Sequence, residues 1–462
     1  MENTVLCPLD GRYAGRLGTL RACMGESALA ACRVRVELAW LEVLSSLKLP
    51  HCPPLTAAEK KLLGTLGQLS AEDLALLHAL EFNGYKHIAA TKHDVKAVEY
   101  FLRLRFDRTP LKKRQNWLHF ALTSEDVNSV SYALMLSDGM EKGLFPLLLQ
   151  IQQSLLQLAR REARSVLLAR THGQPAVPTT FGKEIRVFAD RLSRQIEQLR
   201  TRQISCKFGG AVGNFNAHAV AFPSVNWPRT ADRLVGMLNK GRKIKIVRTV
   251  VSTQVDPRDT YAELFDNLRR TNVILIDFCR DMWQYISAGL VRQRVIAGEV
   301  GSSTMPQKVN PIDFENAEGN LQLANTLCDF LANKLPVSRL QRDLTDSTVL
   351  RNMAVVFGYM AVAYGSIVGG LHKTAFDRAS ALQEVKAHPE VLAEAFQTML
   401  RAAGIKNPYE KLRDFTRGHT VAAVAWRQFI DQLEISRELK SRMQALKPED
   451  YIGLAEQLAR GK

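Results

Sequence analysis

Apolar residues recur along this chain at the three- and four-residue spacing of a helix, not at the two-residue spacing of a strand. Leu148, Ile151, Leu155 and Leu158 share one helical face, as do Phe181, Ile185, Phe188, Leu192, Ile196 and Leu199. From Tyr261 to Leu290 the stripe runs through Leu264, Leu268, Leu275 and Met282, with no Pro or Gly before Gly289. A helix over that stretch is about 45 Å long at about 1.5 Å per residue. Helices of such length belong mostly to bundles and coiled assemblies. The segment Ile312 to Leu335 reads as a further helix, and Lys243 to Val251, a β-branched run, as a short strand or a loop edge. The expected fold class is all-α, with a long central helical bundle.

Turn-forming residues punctuate the helical blocks. They lie at Thr109-Pro110, from Gly173 to Pro178, and from Gly298 to Pro311, with a glycine-bearing connection near Gly369-Gly370. At 462 residues the chain is too long for one simple core, since single cores stop growing at about 250–300 residues. Three domains are expected: an N-terminal helical domain over 1–115, a central long-helix domain over 116–368, and a C-terminal helical domain over 369–462. No glycine motif of the dinucleotide or phosphate-loop type is present, so neither nucleotide-binding fold has support.

Composition narrows the class. A hydrophobic share of 46% and a charged share of 23% are those of an ordinary folded protein. No apolar run is read as reaching the roughly 18 residues of a membrane helix. The N-terminus has no basic segment followed by a long apolar one, so cytoplasm is the expected location, with no membrane partner. The seven cysteines are scattered, odd in number and without C-x-x-C spacing. That argues against a zinc site and a disulfide framework, and predicts reduced, mostly buried thiols. A net charge of +16 fits either nucleic acid or a polyanionic small molecule as ligand. The basic clusters at Lys112-Lys113-Arg114 and from Lys240 to Arg248 lack interleaved aromatics, so they read as solvated or oligomer-facing surface.

Two segments carry candidate chemistry. In Thr171-His172-Gly173-Gln174-Pro175 a histidine sits between turn-formers at the entrance to a long helix. Imidazole is the side chain that exchanges protons near neutral pH, although, taken alone, the segment is better explained as a structural turn with an incidental His. The loop from Gly301 to Pro311 is rich in glycine and hydroxyls and suits a segment that closes over a ligand. Ser302 and Ser303 offer a nucleophile, a base if activated, or hydrogen-bond donors. Lys308 and Asn310 supply positive charge and an amide where negative charge develops. Glu315 follows one helical turn later. Taken alone, the loop also fits a mobile linker.

Together and in this order, the two segments resemble the aspartase/fumarase superfamily. Its hallmark is a loop of the form G-S-S-x-M-P-x-K-x-N-P followed by Glu, and Gly301 to Glu315 matches that form throughout. Further segments are similar to the adenylosuccinate lyase family, in its bacterial-type branch. They are Asp10-Gly11-Arg12-Tyr13, Lys92 to Tyr100, Thr123-Ser124-Glu125-Asp126, Gln254, and Asp343 to Asn352. The resemblance covers nearly the whole chain.

The resemblance implies a three-domain subunit and a homotetramer whose sites are each assembled from three subunits. It implies elimination of fumarate from succinyl nucleotides, with no metal or organic cofactor. By the same resemblance Ser302 is the base, His172 the acid and Glu315 the partner of His172, while Lys308 and Asn310 stabilise the carbanion's carboxylate. Thr123, Ser124, Gln254 and Ser303 hold the succinyl carboxylates. Arg12, Tyr13, Arg342, Ser347 and Arg351 bind the nucleotide. Lys92, His93, Asp94, Val309, Asn316, Thr348, Val349 and Leu350 complete the implied substrate contacts. His93 also fits a structural cap, and Arg351 a surface ion pair.

The chain departs from the family pattern at Gln307, where His is usual, and at Lys92, where Asn is usual. Gln307 hydrogen-bonds but cannot titrate. The stretch from Lys240 to Arg248 reads as a longer surface insertion. The competing readings are another fumarate-releasing lyase of the superfamily, such as one for argininosuccinate, and a non-catalytic basic binding protein. Nucleic acid is not an expected partner.

Overall fold

The helical stripes become buried faces. The computed structural model describes residues 5–294, 304–305, 307–416 and 421–461. Nine of its helices are named here: α1 (Glu26–Ser46), α2 (Asp94–Phe106), α3 (Ser124–Asp138), α4 (Phe145–Arg161), α5 (Phe181–Arg200), α6 (Asp259–Ser287), α7 (Ile312–Lys334), α8 (Thr345–Leu350) and α9 (Met353–Lys373). On α4, Leu148, Ile151 and Leu155 are fully buried, and on α5 so are Leu192 and Leu199. Helix α6 has 29 residues, and its stripe of Leu264, Leu268, Leu275 and Met282 is buried from end to end. Most of the stability of such helices in a protein comes from burial of the apolar face and not from propensity. The fold is all-α.

The chain divides into two units. The first comprises 1–148, 195–273 and 319–364, and the second 149–194, 274–318 and 365–462. In the first unit Trp40, Phe101, Phe106 and Phe208 are among the largest buried side chains. Trp40 meets Phe208 edge-on at 4.9 Å. In the second, the C-terminal helices close over Phe396, Leu400, Trp426, Ile430 and Met443. Phe396 and Trp426 meet edge-on at 4.8 Å.

Three two-stranded sheets interrupt the helices among the described residues. Strands β1 (Val166–Thr171) and β2 (Gln174–Thr180) form an antiparallel hairpin with Thr171 opposite Gln174. The stretch Gly173 to Pro178, expected to be a loop, is therefore largely strand. A two-stranded ladder has only edges, so Pro175 and Pro178 are tolerated in it. Strands β3 (Ile204–Cys206) and β4 (Ile246–Arg248) pair in parallel, which places a strand within the β-branched run. Strands β5 (Val291–Gln293) and β6 (Thr374–Phe376) pair antiparallel.

Three further expectations are corrected. Gly369 and Gly370 do not form a connection but lie inside α9. A Cβ on Gly370 would stand 2.9 Å from the Phe314 ring, so glycine there allows close packing. Gly370→Ala is expected to cost about 1–3 kcal/mol by overpacking, read as a lower Tm at unchanged helicity. The basic clusters are not wholly solvated. Arg114 is buried with its guanidinium on Glu59 at 3.0 Å, and Arg242 is buried with a two-pronged contact to Asp138 at 3.1 and 3.0 Å. The third concerns apolar runs. Within Thr345–Lys373 an 18-residue window reaches a mean hydropathy of 1.7, enough by length and composition to cross a membrane. Two-thirds of its apolar window is buried inside the protein, which is how a core helix passes the same test.

All seven cysteines are free, and five of them are buried. Burial pushes the Cys23, Cys32 and Cys52 thiols up to about 11. They are poor nucleophiles in that state.

Candidate active site

In the first unit, the start of α3 is built around a buried carboxylate. Asp126, three residues after the cap Thr123, accepts the Thr123 backbone N–H at 2.9 Å. It also accepts the Lys207 ammonium at 2.7 Å and the Gly209 N–H at 2.8 Å. Neither Asp126 nor Lys207 has any exposed side-chain surface. A carboxylate so buried is tolerated because each lone pair meets a donor. The result is a rigid platform for Thr123 and Ser124.

His93 caps α2 and faces that platform. Its Nδ1 accepts the Lys96 backbone N–H at 3.3 Å. In the neutral ring the proton is then on Nε2, which lies 3.3 Å from Ser124 Oγ and donates to it. His93 thus caps α2 through one ring nitrogen and meets Ser124 through the other. Asp94 accepts Arg33 at 2.6 Å and Arg351 at 2.8 Å. Burial opposes its ionisation, but Arg33, the Val95 N–H and Arg351 outweigh burial and hold its carboxyl below the usual carboxylate range. Asp94 thus orients Arg351, which is itself exposed.

A second network joins three of the expected residues. Arg342 donates to Gln254 Oε1 at 3.0 Å and to Ser347 Oγ at 3.2 Å. Its guanidinium also lies 3.3 Å from Glu125 Oε2. Gln254 donates from Nε2 to the Ala211 carbonyl at 2.9 Å. Behind them Glu125 accepts Arg258 at 2.8 Å, and Arg258 reaches Asp346 at 2.7 Å. Burial pushes the Glu125 carboxyl up, while Arg258 and Arg342 on its two oxygens pull it back toward the charged form. Arg258 belongs to none of the motif segments, while Glu125 and Asp346 stand only within theirs, with no role of their own. Their signal was proximity: Glu125 follows Ser124, and Asp346 precedes Ser347.

The remaining expected residues of this unit are more loosely placed. Arg12 is exposed and Tyr13 half-buried beside a short 3-10 turn, Ala14–Arg16. Among the described residues no hydrogen bond joins Arg12 to either network. Lys92 is exposed, with φ of 49° and its N–H on the Glu81 carbonyl at 2.9 Å. Thr348 is exposed and Val349 half-buried on α8. Leu350 is 2% exposed, which leaves its side chain for the core.

In the second unit, His172 occupies the tip of the β1–β2 hairpin, not a helix entrance. It and Gly173 are the two loop residues, with φ of 53° and 75°. That left-handed pair is the geometry of tight hairpin turns whose twist suits the strands. The turn holds the His172 side chain out in solvent. Glu315 is exposed on the first turn of α7 and accepts the Trp283 indole N–H at 3.0 Å. No hydrogen bond between Glu315 and His172 occurs within the chain, among the described residues. Asn316 accepts the Ser366 hydroxyl at 2.9 Å. Lys308 is exposed, its N–H on the Met305 carbonyl at 3.1 Å, and the Val309 carbonyl accepts Gln293 at 2.9 Å. Asn310 is half-buried. Ser302 and Ser303 lie outside the described residues.

The chain's overall likeness decides the family. The model of a lyase family matches residues 79–324, and that of the adenylosuccinate lyase C-terminal region matches 338–452. The chain is 45% identical to the adenylosuccinate lyase of Haemophilus influenzae over 98% of both chains. It is equally similar, at 45%, to that of Escherichia coli K12, covering 98% of this chain and 97% of that one. The enzyme of Dictyostelium discoideum is 42% identical over the same shares. This chain belongs to the adenylosuccinate lyase family. As a member of that family it is a carbon–nitrogen lyase of the aspartase/fumarase superfamily. Among solved structures, a fumarate lyase from Mesorhizobium sp. BNC1 matches with a TM-score of 0.74 at 16% identity, covering 96% of each chain. A 3-carboxy-cis,cis-muconate lactonizing enzyme from Pseudomonas putida matches with a TM-score of 0.70 at 21% identity, covering 95% of each. At those identities the likeness is one of fold alone.

Proposed function

We infer that the protein is an adenylosuccinate lyase of purine nucleotide biosynthesis. It eliminates fumarate from adenylosuccinate, giving AMP, and from the succinyl-aminoimidazole-carboxamide ribotide. The observation that carries this is 45% identity to adenylosuccinate lyases over 98% of the chain. A member acting on argininosuccinate is not favoured by that identity.

The chemistry is a β-elimination. Ser302 removes the proton from the succinyl carbon beside a carboxylate. The electron pair is held as the carboxylate's aci form, where Lys308 and Asn310 supply positive charge and an amide donor. The C–N bond then breaks, and His172 delivers a proton to the departing nitrogen. Ser303, Thr123, Ser124 and Gln254 hold the succinyl carboxylates. Arg342, Ser347 and Arg351, with Arg12 and Tyr13, hold the nucleotide. Guanidinium suits phosphate because its fork matches two oxygens at once.

The same reading assigns a homotetramer with sites shared between subunits. Two observations support it. Glu315 is engaged by Trp283 and not by its own His172. Large apolar side chains stand exposed on the long helices, among them Trp283 at 44%, Leu323 at 54% and Phe330 at 51%. Surfaces of that kind are covered in assemblies.

The test is a purified-protein assay following conversion of adenylosuccinate to AMP and fumarate by absorbance and chromatography. Turnover of both succinyl nucleotides is expected. Turnover of argininosuccinate or malate alone would overturn the substrate assignment.

A further inference from the structure

We propose that Glu125 is a positioning residue that aims Arg342 at the nucleotide end of the substrate, with Arg258 as the buried anchor behind it. The proposal rests on the assignment of Arg342 to nucleotide binding given above. It adds a residue which that assignment does not contain.

The geometry is specific. Glu125 is 1% exposed, so its carboxylate is unavailable to solvent. One oxygen faces Arg258 at 2.8 Å and the other faces Arg342 at 3.3 Å. The two guanidiniums differ in setting. Arg258 is 2% exposed, whereas Arg342 retains 19% of its side-chain surface. Glu125 therefore has one partner held in the core and one at the surface of the site. Arg258 is itself held on three sides. Its guanidinium spans Glu125 and Asp346, and its backbone N–H donates to Asp256 Oδ2 at 2.8 Å. Its φ of 62° is a left-handed conformation that a non-glycine residue keeps only when its surroundings impose it.

Three chain segments meet at this cluster. Glu125 follows Thr123-Ser124, Arg258 ends the loop that carries Gln254, and Asp346 precedes Ser347 on α8. A fold does not in general need buried charge at such a junction, since apolar residues of similar volume often replace buried ion pairs at no net loss. What a charged triad adds is a defined direction for the outer guanidinium. An arginine side chain otherwise samples many rotamers, and ordering them on binding weakens affinity.

The test is a double-mutant cycle on Glu125 and Arg342, read as KM and kcat for adenylosuccinate and as affinity for AMP. Glu125→Gln preserves volume, and Arg258 keeps Asp346. It is expected to raise KM by about 3- to 30-fold, within the range of coupling between contacting residues, with kcat within about 2-fold of wild type. Arg342→Ala raises KM further. Adding Glu125→Gln to Arg342→Ala then changes KM by less than about 2-fold, because the group through which Glu125 acts is gone. Glu125→Asp, which keeps the charge but shortens its reach, is expected to recover part of the affinity. It also serves in the same cycle should Glu125→Gln fail to melt cooperatively. Additive effects in the cycle, or a loss of kcat with KM unchanged, overturn the positioning role. If wild type turns over adenylosuccinate but Arg342→Ala leaves KM unchanged, the role is overturned through Arg342. A wild type without that turnover overturns the functional reading, and the positioning role with it.

Discussion

Replacing His172 with alanine is expected to lower kcat for adenylosuccinate by about 100- to 10,000-fold, the range that one proton-transferring group contributes. The hairpin supplies the reason the loss should be clean. His172 stands at the tip of a two-residue turn with its side chain in solvent, so removing the imidazole leaves no cavity. Circular dichroism and Tm should match wild type. Ser302→Ala is expected to lower kcat to a similar degree, since no other group of the loop is assigned the base. If Ser302→Ala retains near-normal kcat, the base moves to Ser303. Because the proposed site draws on several subunits, mixing the two inactive variants and allowing subunit exchange should restore part of the activity. Some mixed sites then receive an intact His172 from one subunit and an intact Ser302 from another. No recovery in a mixture shown to contain hybrid tetramers would overturn shared sites.

The largest effect on stability is expected at Asp126. Removing its carboxylate leaves the Lys207 ammonium, which has no exposed surface, without a counter-charge. Breaking a buried pair by deleting one partner costs about 3–5 kcal/mol, more than the overpacking expected at Gly370. Asp126→Ala also frees the N–H groups of Thr123 and Gly209 that the carboxylate now accepts. The expected readout is a large fall in the urea midpoint or Tm at fixed protein concentration, with weakened substrate affinity in whatever fraction folds. Asp126→Asn should fall between alanine and wild type, since an amide oxygen still accepts but carries no charge. A drop as small as that of a surface substitution would show that water or a neighbouring group compensates Lys207.

The two predictions differ in how far each was visible in the sequence. His172 was visible as a residue type in a turn, and its chemistry followed from its side chain. Its place at a hairpin tip was not, because Pro175 and Pro178 argue against a strand unless that strand is an edge. Asp126 was visible only as the last residue of Thr-Ser-Glu-Asp, a segment marked by its family likeness. Its pairing with Lys207 spans 81 residues of chain, and no local pattern encodes that. The same holds for the basic clusters. Lys112 and Lys113 fit a solvated face, while their neighbour Arg114 is buried on Glu59. Charge in sequence is one-dimensional, and whether it is buried depends on a partner brought from elsewhere.

By itself the sequence determined the all-α class, the long helices and the family. Each rests on local patterns: helical periodicity for the class, and for the family a short loop motif with other short segments spread along the chain. The tertiary structure alone decided which charges are buried and which side chains meet. It turned Glu125, Arg258 and Asp346 from incidental charges into the support behind Arg342, and it paired Asp94 with Arg351 across 257 residues. It also placed the most apolar stretch, Thr345–Lys373, mainly inside the protein. The physical reason is common to all of these. Burial and ion pairing depend on separation in space, and only the folded chain sets it.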